Sequence, residues 1–99
     1  MSATGSFRLE AAAPSTLAVS GVLDFDTAAA ALAAMRAALK PAMERLDLAG
    51  VTASDSAGLA CVLAAVAESG QRGRRLQVVG MPAGMRALAQ VCEVDTLLA

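Results

Sequence analysis

Polar and apolar positions alternate along several short stretches of the chain, as in β-strands that bury one face. In residues 43–51, Leu46 and Leu48 point to one side of such a strand, and Arg45 and Asp47 point to the other. Short runs with turn residues at their ends predict the remaining strands. The predicted strands cover residues 7–10, 16–20, 43–51 and 74–80.

Apolar residues recur at helical spacing in three other stretches. The first predicted helix follows a capping position at residues 26–27 and ends at Pro41. The second follows the polar run 54–56 and ends at Gly70, and the third starts at Pro82. The apolar positions are Ala28, Leu32, Met35 and Leu39 in the first helix, Leu59, Val62, Leu63 and Val66 in the second, and Met85, Leu88 and Cys92 in the third.

The predicted elements follow the order β-β-α-β-α-β-α. Alternation of strands and helices at these lengths requires crossover connections, which produce parallel strand pairs. The chain of 99 residues is long enough for one hydrophobic core and too short for two. We therefore predict an α/β fold, a single domain over residues 1–99 with a small mixed sheet packed with helices.

The composition excludes several classes of function. Of the 99 residues 25 are alanine, the only aromatic residues are Phe7 and Phe25, and histidine is absent. Stacking on single-stranded nucleic acid depends on aromatic side chains, and histidine is the commonest general base and a common zinc ligand. With a net charge of −1 there is also little attraction toward DNA. We expect no catalytic residue, no metal, no cofactor and no nucleic-acid partner.

The longest stretches without charge, 11–23 and 56–67, are shorter than the roughly 18 residues that span a bilayer. The chain starts without a basic, then apolar, signal sequence. We therefore expect a cytoplasmic protein without a membrane span. In that compartment Cys61 and Cys92 are predicted to be two buried, reduced thiols.

The second predicted helix has almost no polar face. Opposite its apolar stripe lie Ala57, Ala60, Cys61 and Ala64, all small and uncharged, with Glu68 at the end of this face. One interpretation is that alanine serves as the best helix former. The other is that a partner packs closely on this face. Composition leaves both open.

The start of the same helix poses a similar choice. Ser54, Asp55 or Ser56 can cap the first turn of the helix. Capping explains these residues better than a serine nucleophile with Asp55 as its base, since the chain has no histidine to relay a proton. Gly58 lies inside this turn, where glycine costs up to ~1 kcal/mol relative to alanine. Its presence indicates a close approach, either by the neighbouring strand or by a bound protein.

The segment LDLAGVTASDSAGL, residues 46–59, resembles the central motif of the STAS domain, the fold of bacterial anti-sigma factor antagonists. VSGVLDFDT at residues 19–27 resembles the family's turn after its second strand. Residues 72–98 resemble its last strand and helix. The resemblance thus covers nearly the whole chain and implies a STAS fold with a binding function and no enzymatic one.

In the phosphorylated antagonists of this family the acceptor is the second residue after the aspartate, which here is Ala57. Ser56 stands where STAS subunits of the Mla phospholipid-transport ABC system carry threonine or serine. That resemblance implies a small subunit that binds and supports the transporter's cytoplasmic ATPase at the inner membrane, in the system for outer-membrane lipid asymmetry. The implied partner-binding residues are Asp55, Ser56, Ala57, Gly58, Ala60, Cys61 and Ala64.

Two alternatives stay open at this point. In the first, the chain is an anti-sigma factor antagonist that binds an anti-sigma kinase and is phosphorylated on Ser56. In the second, it is a ligand-binding or structural STAS module of another assembly.

Overall fold

The computed structural model describes residues 6–13, 15–39 and 43–98. Within them a four-stranded sheet is combined with three α-helices, in the predicted order β-β-α-β-α-β-α. The elements are β1 (Phe7–Ala13), β2 (Thr16–Leu23), α1 (Ala28–Ala38), β3 (Arg45–Ser54), α2 (Ser56–Gln71), β4 (Gln77–Val79) and α3 (Ala83–Val91), followed by a 3₁₀ helix over Asp95–Leu98.

The strands lie in the order β1-β2-β3-β4 across the sheet. β1 and β2 form an antiparallel hairpin, whereas β2 pairs with β3, and β3 with β4, in parallel. The predicted mixed sheet is confirmed. Both crossovers step in the same direction across the sheet, so right-handed connections place α1 and α2 on the same face.

The core lies between this face of the sheet and the helices. Leu46 and Leu48 of β3 are fully buried, whereas Arg45 is exposed, which confirms the predicted orientation of this strand. Leu17 of β2 pairs in register with Leu46, so the buried side chains of adjacent strands lie next to one another. Met35 from α1 completes the same core without any exposed surface.

The strands differ in length from the prediction. β1 and β2 extend beyond the predicted ends, and β3 runs on to Ser54, whereas β4 has only three residues. Alanine is a poor strand former, but pairing with a neighbouring strand extends such a segment regardless of propensity. Lys40 and Pro41, the predicted end of the first helix, lie outside the described residues; α1 ends at Ala38.

Cys92 corrects two predictions. It follows the last residue of α3, Val91, and is exposed, so it neither lies on the buried face of this helix nor is a buried thiol. Glu93 adopts a positive φ of 60°, which turns the chain away from the helix axis directly after Cys92. Ala89 takes the buried position beside Met85 instead.

Candidate functional site

The carboxyl ends of β2 and β3 meet the N-termini of α1 and α2 at one edge of the sheet. Asp55 lies between β3 and α2 and caps the helix with its side chain. Its Oδ1 accepts hydrogen bonds from the N–H groups of Ala57 at 2.9 Å and Gly58 at 3.1 Å. Of the three capping candidates, Asp55 is thus the residue that caps α2. Ser54 ends β3, and Ser56 is the exposed first residue of α2.

The second oxygen of the same carboxylate binds the loop before α1. Asp55 Oδ2 accepts a hydrogen bond from the N–H of Phe25 at 3.1 Å. These backbone donors, the N–H of Gly58 foremost, hold the pKa of Asp55 below its ordinary value against the opposing effect of desolvation. The aspartate therefore stays ionised, and both of its oxygens are already engaged.

The loop from residue 24 to residue 27 is held by its own hydrogen bonds. Asp24 Oδ1 accepts from the N–H groups of Asp26 and Thr27, at 3.0 and 3.2 Å, and the buried Thr27 hydroxyl donates to the Val22 carbonyl at 2.9 Å. Thr27 is the N-cap residue of α1, but its side chain makes no capping bond. In place of the predicted cap at residues 26–27, the carboxylate of Asp24, three residues before Thr27, holds the turn that leads into α1. The loop turns the side chain of Phe25 outward, and 82% of it is exposed.

The structure explains the need for glycine at position 58 by a contact within the chain itself. A Cβ at this position would overlap the backbone carbonyl oxygen of Leu23 at the end of β2. Of the two explanations offered by the sequence, the structure supports close approach by the neighbouring strand. Gly58 is itself buried.

An open apolar groove of about 470 Å³ runs between α1 and α2. Its walls consist of small or apolar side chains, and we call it the α1–α2 groove. It is lined by Phe25, Ala28, Ala29 and Leu32 on one side and by Ala57, Ala60, Cys61 and Ala64 on the other. The four residues of the smooth face predicted for the second helix thus lie along one wall of this groove.

Within this wall the exposure of the residues varies. Ala60 is exposed and Ala57 and Ala64 are half-buried, but Cys61 is only 3% exposed. The predicted burial of the Cys61 thiol is confirmed, and Cys61 does not share the exposure of the other three residues of the smooth face. α1 packs beside α2 and covers this turn, so the buried stripe of α2 is rotated toward α1 and includes Cys61 as well as Val62. Burial raises the pKa of the Cys61 thiol to about 11.

The opposite wall of the groove was not predicted from the sequence. The sequence predicts loop and helix positions there without a role in a site, for Phe25, Ala28, Ala29 and Leu32. One feature of the sequence points to this wall: Phe25 stands between two aspartates, and aspartates are mostly exposed. That α1 lies next to α2 could have been inferred only from the sheet order.

An ion pair closes the far end of the α1–α2 groove, one helical turn beyond Leu32 and Ala64. Arg36 of α1 donates to both carboxylate oxygens of Glu68 on α2, with the Nη2 to Oε2 distance at 2.6 Å. The hydrogen bond from Arg36 lowers the pKa of Glu68. Glu68, predicted at the end of the smooth face, is thus neutralised by its partner.

Neither a metal site nor a membrane span is found in residues 6–13, 15–39 and 43–98. No three histidine, cysteine, aspartate or glutamate side chains come together there as metal ligands would. None of the helices in those residues has the length and apolar character that crossing a bilayer demands.

Two solved structures of an anti-sigma factor antagonist are similar to this chain. The unphosphorylated form of SpoIIAA is 22% identical with a TM-score of 0.63, over 86% of this chain and 82% of that one. The phosphorylated form of SpoIIAA, described as a Bacillus cell fate determinant, is 20% identical with a TM-score of 0.67, over 95% and 89%. At this identity the similarity establishes the fold. Among curated proteins no match to this chain was found.

A family model gives the more specific result. Residues 7–99 match the family described as the MlaB STAS domain. The match includes both walls of the α1–α2 groove and the Asp55 cap between β3 and α2. From this match over nearly its whole length, the chain belongs to the MlaB-type STAS domain family.

Proposed function

We propose that this protein is a non-enzymatic subunit that binds the cytoplasmic ATPase of an Mla-type ABC phospholipid transporter. The observation that carries the proposal is the α1–α2 groove beside Asp55, an exposed apolar surface on a member of the MlaB-type family. STAS domains act by binding other proteins, so such a surface calls for a protein partner.

The groove has the composition of a protein interface. Phe25 is a large aromatic side chain held in an exposed position by a loop whose backbone is fixed, and aromatic anchors of this kind contribute most to binding. Around it the alanines of the two walls allow a partner's backbone to come close. Charged residues are absent from the walls and stand only at the two ends of the groove, as in the core and rim of an interface.

The proposed contact includes the residues first selected from the sequence. Asp55, Ser56, Ala57, Ala60 and Ala64 provide exposed or half-buried surface. Below them, Gly58 and Cys61 are buried and support the wall from inside. To these residues the proposal adds Phe25, Ala28, Ala29 and Leu32 from the opposite wall.

The geometry around Ser56 argues against catalysis. Both oxygens of Asp55 accept backbone N–H groups, so this carboxylate is held in place as a cap and is not directed at the Ser56 hydroxyl. A nucleophilic serine needs a positioned base within hydrogen-bond reach. We therefore assign Ser56 to the contact surface.

Binding to the purified ATPase subunit of the same organism's Mla-type transporter tests the proposal. Ala60→Glu places a charge on the groove wall, and Ser56→Arg adds bulk at the start of α2. Each is expected to weaken binding by about tenfold or more, because a charge buried without a partner at an interface is costly. Ala87→Glu makes the same change at an exposed position of α3 and should bind as the unmodified protein does.

Two results would contradict the proposal. One is the absence of binding by the unmodified protein. The other is full-strength binding by both Ala60→Glu and Ser56→Arg. Circular dichroism melting of each variant separates a lost contact from a lost fold.

The exposed position of Ser56 favours a second candidate function, that of an antagonist regulated by an anti-sigma kinase. Ser56 is the first residue of α2, where a phosphate is favourable toward the helix dipole and adds nearly two negative charges beside the groove. In this case incubation with the kinase and ATP adds one phosphate to the unmodified protein and none to Ser56→Ala, as measured by intact mass. An unchanged mass rejects this candidate.

A further inference from the structure

The two ends of the α1–α2 groove differ in charge. Arg36 and Glu68 neutralise each other at one end. At the other end lie three carboxylates: Asp24 and Asp26 flank Phe25 in the chain, and Asp55 accepts a hydrogen bond from its backbone N–H. The groove is therefore apolar along its length and acidic at its loop end, whereas Arg72 and Arg74 lie close to the Arg36–Glu68 pair at its far end.

The carboxylates at the loop end are not equivalent. Asp24 and Asp55 are engaged with backbone N–H groups of the loop and of α2. Among the described residues the Asp26 side chain makes no hydrogen bond or ion pair, and it is exposed beside Phe25. Each helix N-terminus acts as about half a positive charge, so α1 and α2 together offset about one of the three negative charges. The loop end of the groove therefore keeps a negative potential, which is centred on the unpaired carboxylate of Asp26.

We propose that the segment docked in the groove is a helix of the partner, with small or apolar residues toward the groove and an arginine or lysine at the end that meets Asp26. This inference rests on the proposed function and specifies the partner's contact segment. On the α2 wall, Ala57 to Ala64 spans about 10 Å along the helix axis, enough for about two helical turns of an occupant. The short alanine side chains of both walls allow a third helix to approach at the 8–10 Å typical of packed helices.

Charge complementarity determines the direction of the partner segment. Among the described residues near the groove, a cation at the Asp26 end meets a carboxylate without a hydrogen bond or ion pair, whereas a cation at the other end meets Arg36 with Arg72 and Arg74 close to it. An anion at the Asp26 end is repelled, and repulsion of this kind selects against incorrect partners and registers. The same carboxylate also accelerates association with a basic segment at low ionic strength.

The test measures the affinity of the purified transporter ATPase for two Asp26 variants at several salt concentrations. We expect Asp26→Asn to weaken binding by about two- to fivefold and Asp26→Lys by about tenfold or more at low salt. The affinity of the unmodified protein should decrease when the NaCl concentration is raised from about 50 to 500 mM. The affinity of Asp26→Asn should decrease less over the same range. Asp95→Lys, the same charge change at an exposed site that lines a separate pocket beside β4, should have no effect.

The outcomes separate this inference from the function on which it rests. If binding is weakened by Ala60→Glu but is unaffected by Asp26→Lys at every salt concentration, the docking surface stands and the basic partner segment is wrong. Tighter binding by Asp26→Lys would also overturn the inference, because it would indicate an acidic segment. If the ATPase does not bind the unmodified protein, both proposals are rejected together.

Discussion

The backbone N–H of Phe25 donates a hydrogen bond to the carboxylate of Asp55, 30 residues away in the sequence, with 3.1 Å between N and Oδ2. The other oxygen of this carboxylate caps α2. A single side chain thus joins the start of one groove wall to the loop that begins the other. The position of the exposed phenylalanine relative to α2 depends on this aspartate.

Replacement of Asp55 by alanine should lower the thermal stability of the protein. The variant loses the cap of α2 and the bond to Phe25, and we expect the Tm to fall by about 4 to 8 °C in calorimetry or circular dichroism. Asp26→Ala is the matched control, because the Asp26 side chain has no hydrogen-bond partner among the described residues. Equal decreases in Tm for the two variants would contradict the assignment of the cap.

The stabilisation by Asp55 should also depend on pH. Its pKa in the folded protein lies below the ordinary 3.8, so the folded state favours the ionised form. The contribution is fully present above the unfolded pKa of about 4 and is lost as the pH falls through that value toward the folded pKa. In urea unfolding the difference between the unmodified protein and Asp55→Ala should be constant from pH 7 to about 5 and should shrink below about pH 4. A difference that grows on acidification would have the wrong sign.

The order of elements and the mixed sheet could be predicted because each depends on local pattern. The alternation around Leu46 and Leu48, for example, is a property of the sequence alone. Which turn of α2 is covered by α1 is a property of the packed structure. The helical pattern placed Cys61 on the smooth face opposite the apolar stripe, and the packing of α1 against α2 explains why this position is buried, as expected for its thiol.

The candidate site could be predicted in part for the same reason. The smooth wall of α2 and the special character of Gly58 were visible as unusual residue choices. Phe25 was missed because its exposure results from the hydrogen bonds that fix the loop, among them one to Asp55 that crosses from another element. Such contacts between distant segments leave no periodic signal.

Gly58→Ala should destabilise the protein, although alanine is the better helix former. The added Cβ meets the Leu23 carbonyl oxygen, so the end of β2 or the start of α2 must shift, at a cost of about 1–3 kcal/mol. Gly70→Ala, in the last turn of the same helix, has open space around its Cβ and should be neutral or stabilising by up to ~1 kcal/mol. Urea unfolding of both variants measures this difference, and a stable Gly58→Ala protein would refute the close approach of β2.

The two cysteines should differ in their reactivity. Cys92 is exposed, whereas Cys61 is buried with a pKa of about 11. At neutral pH a thiol with this pKa has about a hundredfold less thiolate than one at the ordinary 9.0, and thiolate is the reactive form. In the folded protein a thiol reagent such as dithionitrobenzoate should therefore label one cysteine rapidly and two after unfolding. Cys92→Ser should remove the rapid phase, and rapid labelling that persists in this variant would place Cys61 at the surface.

Phe25 should be important for binding and nearly neutral for stability. Because 82% of its side chain is exposed, Phe25→Ala removes little buried surface, and we expect the free energy of unfolding to change by about 0.5 kcal/mol or less. An aromatic anchor that becomes buried in an interface typically contributes about 2 kcal/mol or more, so binding to the ATPase should weaken by about 30-fold. Val91→Ala is the matched control, since Val91 is 79% exposed at the end of α3, away from the groove. Isothermal titration should show unchanged affinity for Val91→Ala. If the two variants lose affinity equally, the exposed apolar side chains act without specificity and the α1–α2 groove is not the binding surface.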